Sequence, residues 1–186
     1  MKKRLFVAID FPIDVKKQIS QMAGELKKKY PQIRWERGEN IHLTLKFLGW
    51  TEKEKQVEKG MENAVLGIKP FWFQLTKMGY FLNQSLIVWL GVESQEGLFK
   101  MAENLEEEMA KIGFPCEKRE FNPHVTLGRR RQVQPISHWR QVALELQNFK
   151  TPQFKKFKVE RVSLMESHLA PSGSIYTILK FQDLIF

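Results

Sequence analysis

The chain contains one short pattern twice. Asn40-Ile41-His42-Leu43-Thr44-Leu45 returns as Asn122-Pro123-His124-Val125-Thr126-Leu127. From the histidine onward, each copy alternates a polar residue with an apolar one. In a strand, alternate side chains share a face. His42 and Thr44 therefore project one way and Leu43 and Leu45 the other, and His124 and Thr126 are separated from Val125 and Leu127 in the same manner. Each copy reads as a half-buried strand that shows an imidazole and a hydroxyl on its open face. A fold that holds both must back each strand with a core on one side only.

Sliding the chain so that His124 falls on His42 superposes more than the motif. Ile87-Val88-Trp89 falls on Leu5-Phe6-Val7, the helical pattern around Met101 on that around Ile19, Arg119 on Arg37 and Asn122 on Asn40. Segments 71–78 and 85–92 fall roughly on 154–165 and 174–181. The order of elements predicts two lobes of similar construction. A pseudo-two-fold relation between them brings the two His-x-Thr strands to one cleft from opposite sides.

Leu5 to Ile9 reads as a buried strand. Val15, Ile19, Met22 and Leu26 then recur at helical spacing to about Tyr30, with Asp10 or Asp14 as cap, Lys27-Lys28-Lys29 in the last turn and Pro31 beyond. Residues 33–35 read as a short strand, 38–40 as a turn, and Gly49 as the end of the first motif strand. Thr51 and Glu54 suggest a capping box for a helix over 51–67. Strands are expected over 71–78 and 85–92, with a turn at 79–84. A second long helix spans about Gln95 to Ile112, capped by Gly113. Residues 116–119 read as a short strand, 135–148 as a helix, and 154–165 and 174–181 as closing strands joined by a polar loop that carries His168.

Of 186 residues, 42% are apolar, enough for one domain or for two small lobes on a shared core. The net charge of +9 favours an anionic partner, nucleic acid first. A single cysteine, Cys116, excludes an internal disulfide and a multi-cysteine metal cluster, and it fits a reducing compartment. Met1-Lys2-Lys3-Arg4 is followed only by a short apolar run broken by Asp10 and Pro12, so no signal peptide is expected. No apolar run approaches the ~20 residues that cross a bilayer. A cytoplasmic protein without a membrane partner is expected, with monomer as the default.

One His-x-Thr strand is an ordinary structural feature. Two in matching positions, in a chain with four histidines, point to paired acid–base chemistry. With an ordinary pKa of ~6.5, one imidazole can be neutral and the other protonated near neutral pH. The neutral ring takes a proton from water while the charged ring gives one to a leaving oxygen, and a bell-shaped pH–rate profile around neutrality is expected. Thr44 and Thr126 can donate to the non-bridging oxygens of a phosphate. In a basic protein the group between them reads as a phosphodiester. Zinc is a poorer match: two histidines without companion carboxylates or thiols supply too few ligands, although Asp10 or Glu39 could be enlisted. No serine sits in a nucleophile-elbow pattern. His138 and His168 read as ordinary surface residues, the latter within reach of the cleft mouth. Arg129-Arg130-Arg131 reads either as a solvated strand edge or as a guide for phosphates. Alternation sends Arg130 to the face opposite Arg129 and Arg131. Arg37 and Arg119 are lesser candidates, and one of the many aromatic rings could stack on a base.

At these residues the chain resembles the 2H phosphoesterase superfamily, and within it the RNA 2′,3′-cyclic phosphodiesterase branch, also called 2′-5′ RNA ligase. The resemblance rests on Arg4-Leu5-Phe6-Val7-Ala8-Ile9, on the two motifs extended through Lys46-Phe47-Leu48-Gly49 and Gly128-Arg129, and on Leu164-Met165-Glu166-Ser167. These stretches run over nearly the whole chain. The resemblance implies an α+β, bilobal, duplicated fold: one domain over 1–186 in which two antiparallel sheets face a central cleft, with helices outside. It implies hydrolysis of RNA-terminal 2′,3′-cyclic phosphate, or of cyclic nucleotides, to a 2′-phosphomonoester, with no metal and no cofactor. His42 would be the proton donor to the departing 3′ oxygen, His124 the proton acceptor, Thr44 and Thr126 the phosphate holders, and Arg129 a further phosphate contact. Some members also carry out reversible 2′-5′ ligation. Gly128 is a local variation before that arginine. The alternatives are a non-catalytic module that captures phosphorylated RNA ends, and the same chemistry on another cyclic phosphodiester metabolite.

Overall fold

A computed structural model describes residues 1–93, 95–171 and 173–184. Among these residues the strands are β1 (Lys3–Asp10), β2 (Arg34–Trp35), β3 (His42–Thr51), β4 (Phe71–Phe73), β5 (Leu75–Leu82), β6 (Ser85–Val92), β7 (His124–Arg131), β8 (Phe157–Val159), β9 (Arg161–Ala170) and β10 (Gly173–Asp183). The helices are α1 (Ile13–Lys29), α2 (Glu54–Ala64), α3 (Glu96–Lys111) and α4 (Ile136–Gln147). One four-stranded sheet runs β10-β9-β1-β3 and the other β2-β7-β6-β5, while β4 and β8 form a two-stranded ribbon. All pairings are antiparallel.

The inward faces follow from the residue pattern. Leu5, Val7 and Ile9 of β1 and Leu43 and Leu45 of β3 are buried in one cluster with Val15, Ile19, Met22 and Leu26 of α1. The same cluster takes in Leu86, Val88 and Leu90 of β6, Val125 and Leu127 of β7, and Leu98, Met101 and Leu105 of α3. A continuous apolar interior on this scale is the main stabilising term of the fold. The other face of the first sheet has its own small apolar group, Phe6, Ala8 and Met165 with Tyr176 and Ile178 against them. That face carries His42 and Thr44, since Phe6, Ala8 and Asp10 alternate away from the core.

Two connections matter for the site. β2 leaves the first half of the chain and pairs with β7 of the other sheet, Arg34 opposite Arg129 and Trp35 opposite Gly128. The chain then returns through a short 3-10 turn, Gly38–Asn40, into β3. The side chain of Asn40 fixes that turn to β10 by donating to the Ser174 carbonyl at 2.7 Å.

The structure moves several sequence-based boundaries. Neither expected cap is made at α1: Asp10 pairs with Lys16 at 2.6 Å, and Pro12 holds the N-cap position. Thr51 accepts from the Lys53 amide rather than forming a capping box, because Glu54 is drawn to Lys3. Gly113 does end α3, with the paired bonds from Gly113 to Ala110 and from Phe114 to Met109 that define this C-terminal motif. Residues 116–119 form no strand. The strand expected over 71–78 is split at Gln74, and the hairpin after it tightens to Asn83-Gln84. β9 runs on to Ala170, so His168 lies in a strand opposite Ile175. It shares a face with Glu166, 3.5 Å away. That is the face opposite Met165 and Ser167, so His168 points away from the side that carries His42 and Thr44. The register also shifts the internal match by one residue: Ala8 faces Thr44 as Trp89 faces Thr126.

Candidate active site

β3 and β7 approach each other where the two sheets meet. Both motifs show the expected alternation: His42, Thr44, His124 and Thr126 are half-buried, while Leu43, Leu45, Val125 and Leu127 are buried. Both imidazoles are fixed in the same way. Nδ1 of His42 lies 2.6 Å from the Asn40 carbonyl, and Nδ1 of His124 lies 2.7 Å from the Asn122 carbonyl. A carbonyl only accepts, so each Nδ1 carries the proton and each neutral Nε2 is left free to accept one. Nε2 of His42 meets the Thr44 hydroxyl at 2.9 Å. Nε2 of His124 has no hydrogen-bond partner among the described residues.

A bulge decides where Arg129 goes. β6 and β7 pair Trp89 with Thr126 but Val88 with Gly128, so Leu127 is an extra residue on β7. In an unbroken strand Arg129 would face away from His124 and Thr126. The bulge reverses the alternation after it and brings Arg129, opposite Ile87, to their face. Arg130 turns to the other side and stacks over the Trp139 ring of α4 at 5.3 Å. Nε of Arg129 lies 3.6 Å from a Glu36 carboxylate oxygen.

Aromatic rings wall the imidazoles. Phe6 and Tyr176 pack on His42, with ring centroids 5.0 and 5.1 Å away. Phe81 packs edge-on to His124 at 5.1 Å, with Trp89 behind it at 6.2 Å. Trp89 lies across Gly79, where a Cβ would come within 2.2 Å of the indole, so only glycine leaves room for this wall. Composition alone did not single these rings out; their places opposite or beside the motif strands do.

The electrostatics follow from burial. Loss of water holds His42 well below its ordinary value, at about 4, against the upward pull of the Asn40 carbonyl and the Asp10 carboxylate. Lys16 and Arg129 add to the depression. His124 is also pushed down by burial, partly offset by the Asn122 carbonyl, and Arg129 lowers it further. One guanidinium, that of Arg129, therefore acts on both imidazoles. Glu36 is pushed up by burial, and Arg129 and Arg34 oppose this.

This has a measurable consequence for stability. Unfolded His42 takes a proton below about pH 6.5, whereas the folded ring refuses it until about pH 4. Stability is then lost as pH falls through that window, at about 1.4 kcal/mol per unit for a single group. Urea unfolding at pH 7 and pH 5 should show a loss about 2 kcal/mol smaller in His42→Gln than in the wild type. An equal loss in both proteins would place the ring in water.

The remaining candidates lie apart. Arg37 pairs with Glu39 at 3.8 Å on the surface, Arg119 is exposed, and His138 stacks on Trp139 at 5.3 Å. Asp10 faces His42 across the ladder, and its partner Lys16 also donates to the Glu39 carbonyl at 3.0 Å. Among the described residues there is no group of three or more His, Cys, Asp or Glu able to hold a metal ion. Lys46, buried beside the first motif, donates to Glu106 and to the Pro115 carbonyl at 2.6 and 2.8 Å. It thereby ties β3 to the segment that leads into His124.

Comparisons with known proteins give the family. Residues 11–170 match the family model of the 2′-5′ RNA ligase superfamily. The RNA 2′,3′-cyclic phosphodiesterase of Methanocaldococcus jannaschii is 33% identical over 179 residues, which are 95% of this chain and 98% of that one. That of Methanothermobacter thermautotrophicus is 34% identical over 181 residues, 95% and 96% of the two chains. The crystal structure of E. coli LigT in apo form superposes with a TM-score of 0.79 at 28% identity, covering 98% of this chain and 97% of that one. LigT complexed with 3′-AMP gives 0.78 at 28% identity over 99% of each.

Proposed function

Because the chain belongs to the 2′-5′ RNA ligase superfamily, we propose that it hydrolyses RNA-terminal 2′,3′-cyclic phosphate to a 2′-phosphomonoester. The observation that supports the reading is that both imidazoles, each with Nδ1 held on a carbonyl, lie on paired His-x-Thr strands and feel the charge of one guanidinium; in this reading they face one space. Nε2 of His124 takes a proton from water as its oxygen attacks phosphorus. The bond from phosphorus to the 3′ oxygen breaks, and Nε2–H of protonated His42 gives that oxygen its proton. Both rings return to their starting states after one proton exchange with solvent. Thr44, Thr126 and Arg129 hold the non-bridging oxygens. A 5′ hydroxyl in place of water gives 2′-5′ ligation by the same displacement. The protein acts in this reading as a cytoplasmic monomer, one domain of two pseudo-symmetric lobes.

The depressed imidazoles move the expected pH optimum. In the free protein kcat/KM reports the unloaded groups, so its optimum should lie below pH 6.5 rather than around neutrality. The phosphate anion offsets Arg129 once bound, so the kcat profile should sit to the alkaline side of the kcat/KM profile.

The test is incubation of the pure protein with a nucleoside 2′,3′-cyclic phosphate in the presence of a chelator, with the product isomer identified. A 2′-phosphate is expected. A 3′-phosphate product, or activity abolished by the chelator, would overturn the reading. A His42 ring held neutral at neutral pH lacks the proton for the leaving oxygen, and the second reading is then a module that captures phosphorylated ends through Arg129 and the threonines. It predicts salt-weakened binding without turnover.

A further inference from the structure

Two further bulges decide where the first motif strand points its aromatic rings. β1 and β3 pair Ala8 with Thr44, then Val7 with Lys46, Phe6 with Phe47, Leu5 with Gly49 and Arg4 with Trp50. One extra residue is taken up at Leu45 and another at Leu48, and each reverses the alternation that follows. An unbroken strand would send Phe47 to the core with Leu43 and Leu45. The first bulge turns it out beside Phe6, 6.2 Å between ring centroids, and turns Lys46 inward instead. The second bulge keeps Trp50 on the same side. Gly49, at φ +72°, supplies the left-handed residue there.

The result is a row of side chains on one face: His42, Thr44, Phe47 and Trp50. The first two belong to the candidate site. The last two are 65% and 63% exposed, although large aromatic rings are the side chains that gain most from being covered. Only Phe6 separates the Phe47 ring from the His42 ring, 6.2 Å from the first and 5.0 Å from the second. The backbone of Trp50 stands about 20 Å along the partner strand from that of His42, past a single nucleotide held at the histidine. Arg4 stands opposite Trp50, its Nη1 donating to the Ser167 hydroxyl at 3.1 Å.

We infer that this row is a binding track for the single-stranded RNA upstream of the reacting end. Bases stack on Phe47 and Trp50, and a phosphate of the strand meets Arg4. Base stacking on aromatic rings beside a cationic groove is the general means of holding a single strand without reading its sequence. The net charge of +9 matches a polyanion, and the row is continuous with the candidate site. The inference rests on the reading of that site as one that acts on RNA ends, and it adds a preference for length. An oligonucleotide reaches the whole track, and a cyclic mononucleotide does not reach Trp50.

The experiment compares kcat/KM on adenosine 2′,3′-cyclic phosphate with kcat/KM on a six-nucleotide RNA ending in the same group. Wild type should prefer the longer substrate. In Phe47→Ala and Trp50→Ala the preference should fall about ten-fold. Phe47→Leu, which keeps apolar volume but loses the ring face, should behave like Phe47→Ala. Equal losses on both substrates, or no loss on either, would overturn the track. Binding of a labelled hexamer ending in a 2′-phosphate, followed by fluorescence anisotropy at low salt, needs no turnover. Its Kd should rise about ten-fold in the same variants, and an unchanged Kd overturns the track. An inert wild type whose binding still depends on the two rings defeats the hydrolase reading and keeps the track. An active wild type with no dependence on length does the reverse. Sedimentation of wild type and variants completes the test: a second copy of the chain seated on these rings would appear as a dimer lost on substitution, and that result also overturns the track.

Discussion

His42→Gln and His124→Gln are each expected to lower kcat on a nucleoside 2′,3′-cyclic phosphate by about 10²–10⁴-fold, the range that general acid–base catalysis contributes. Glutamine keeps a similar volume and a neutral polar amide in place of the ring, so local packing is largely kept. It has no group that titrates between water and a leaving oxygen. The double variant should be little worse than either single one, because in the proposed mechanism the two rings act as a unit. Full activity in either single variant would remove that ring from the reaction.

Arg129→Ala is expected to lower kcat/KM by about 10²-fold, the scale of one lost donor to developing phosphate charge. It should also change the pH profile, which a merely structural residue would not do. The guanidinium pushes both imidazoles down, so its removal raises both. The acid needed at His42 then persists to higher pH, and the alkaline limb of kcat/KM moves up. The base at His124 is lost sooner on acidification, and the acid limb moves up with it. Arg129→Lys should keep most of the wild-type profile but not the rate, since an ammonium keeps the charge without the fork that grips two oxygens. A profile unmoved in Arg129→Ala would mean that the guanidinium stands elsewhere when substrate is bound.

What could be read from residues alone was local. Alternation in His42-Leu43-Thr44-Leu45 and in His124-Val125-Thr126-Leu127 gives the same faces in the structure. The spacing of Val15, Ile19, Met22 and Leu26 gives the buried side of α1. What escaped depends on pairing between distant strands. Residues 116–119 read as a short strand, but β3 is the edge of its sheet among the described residues. The stretch is instead held as a loop by Glu106, which accepts the Glu117 amide. The polar run around His168 looks like a loop because neither of its faces is strongly apolar, yet β10 pairs with it to the end. Simple alternation also fails at Arg129 and Phe47. A single extra residue at Leu127 or Leu45 reverses the side they take, and nothing in the letters marks which residue will be extra.

The order in which the polymer enters its sheets sets a schedule for synthesis. The second sheet is built from β5, β6 and β7 with β2, so all its members exist once Arg131 has been made. The first sheet seats β1 against β9, Leu5 opposite Glu166, and β9 is among the last strands made. A nascent chain released at residue 150 would hold one finished sheet beside a β1 whose outer edge is bare. Such an edge invites pairing with other chains. The seat of His42 thus matures later than that of His124, and abortive products of this gene should aggregate through their amino-terminal strand.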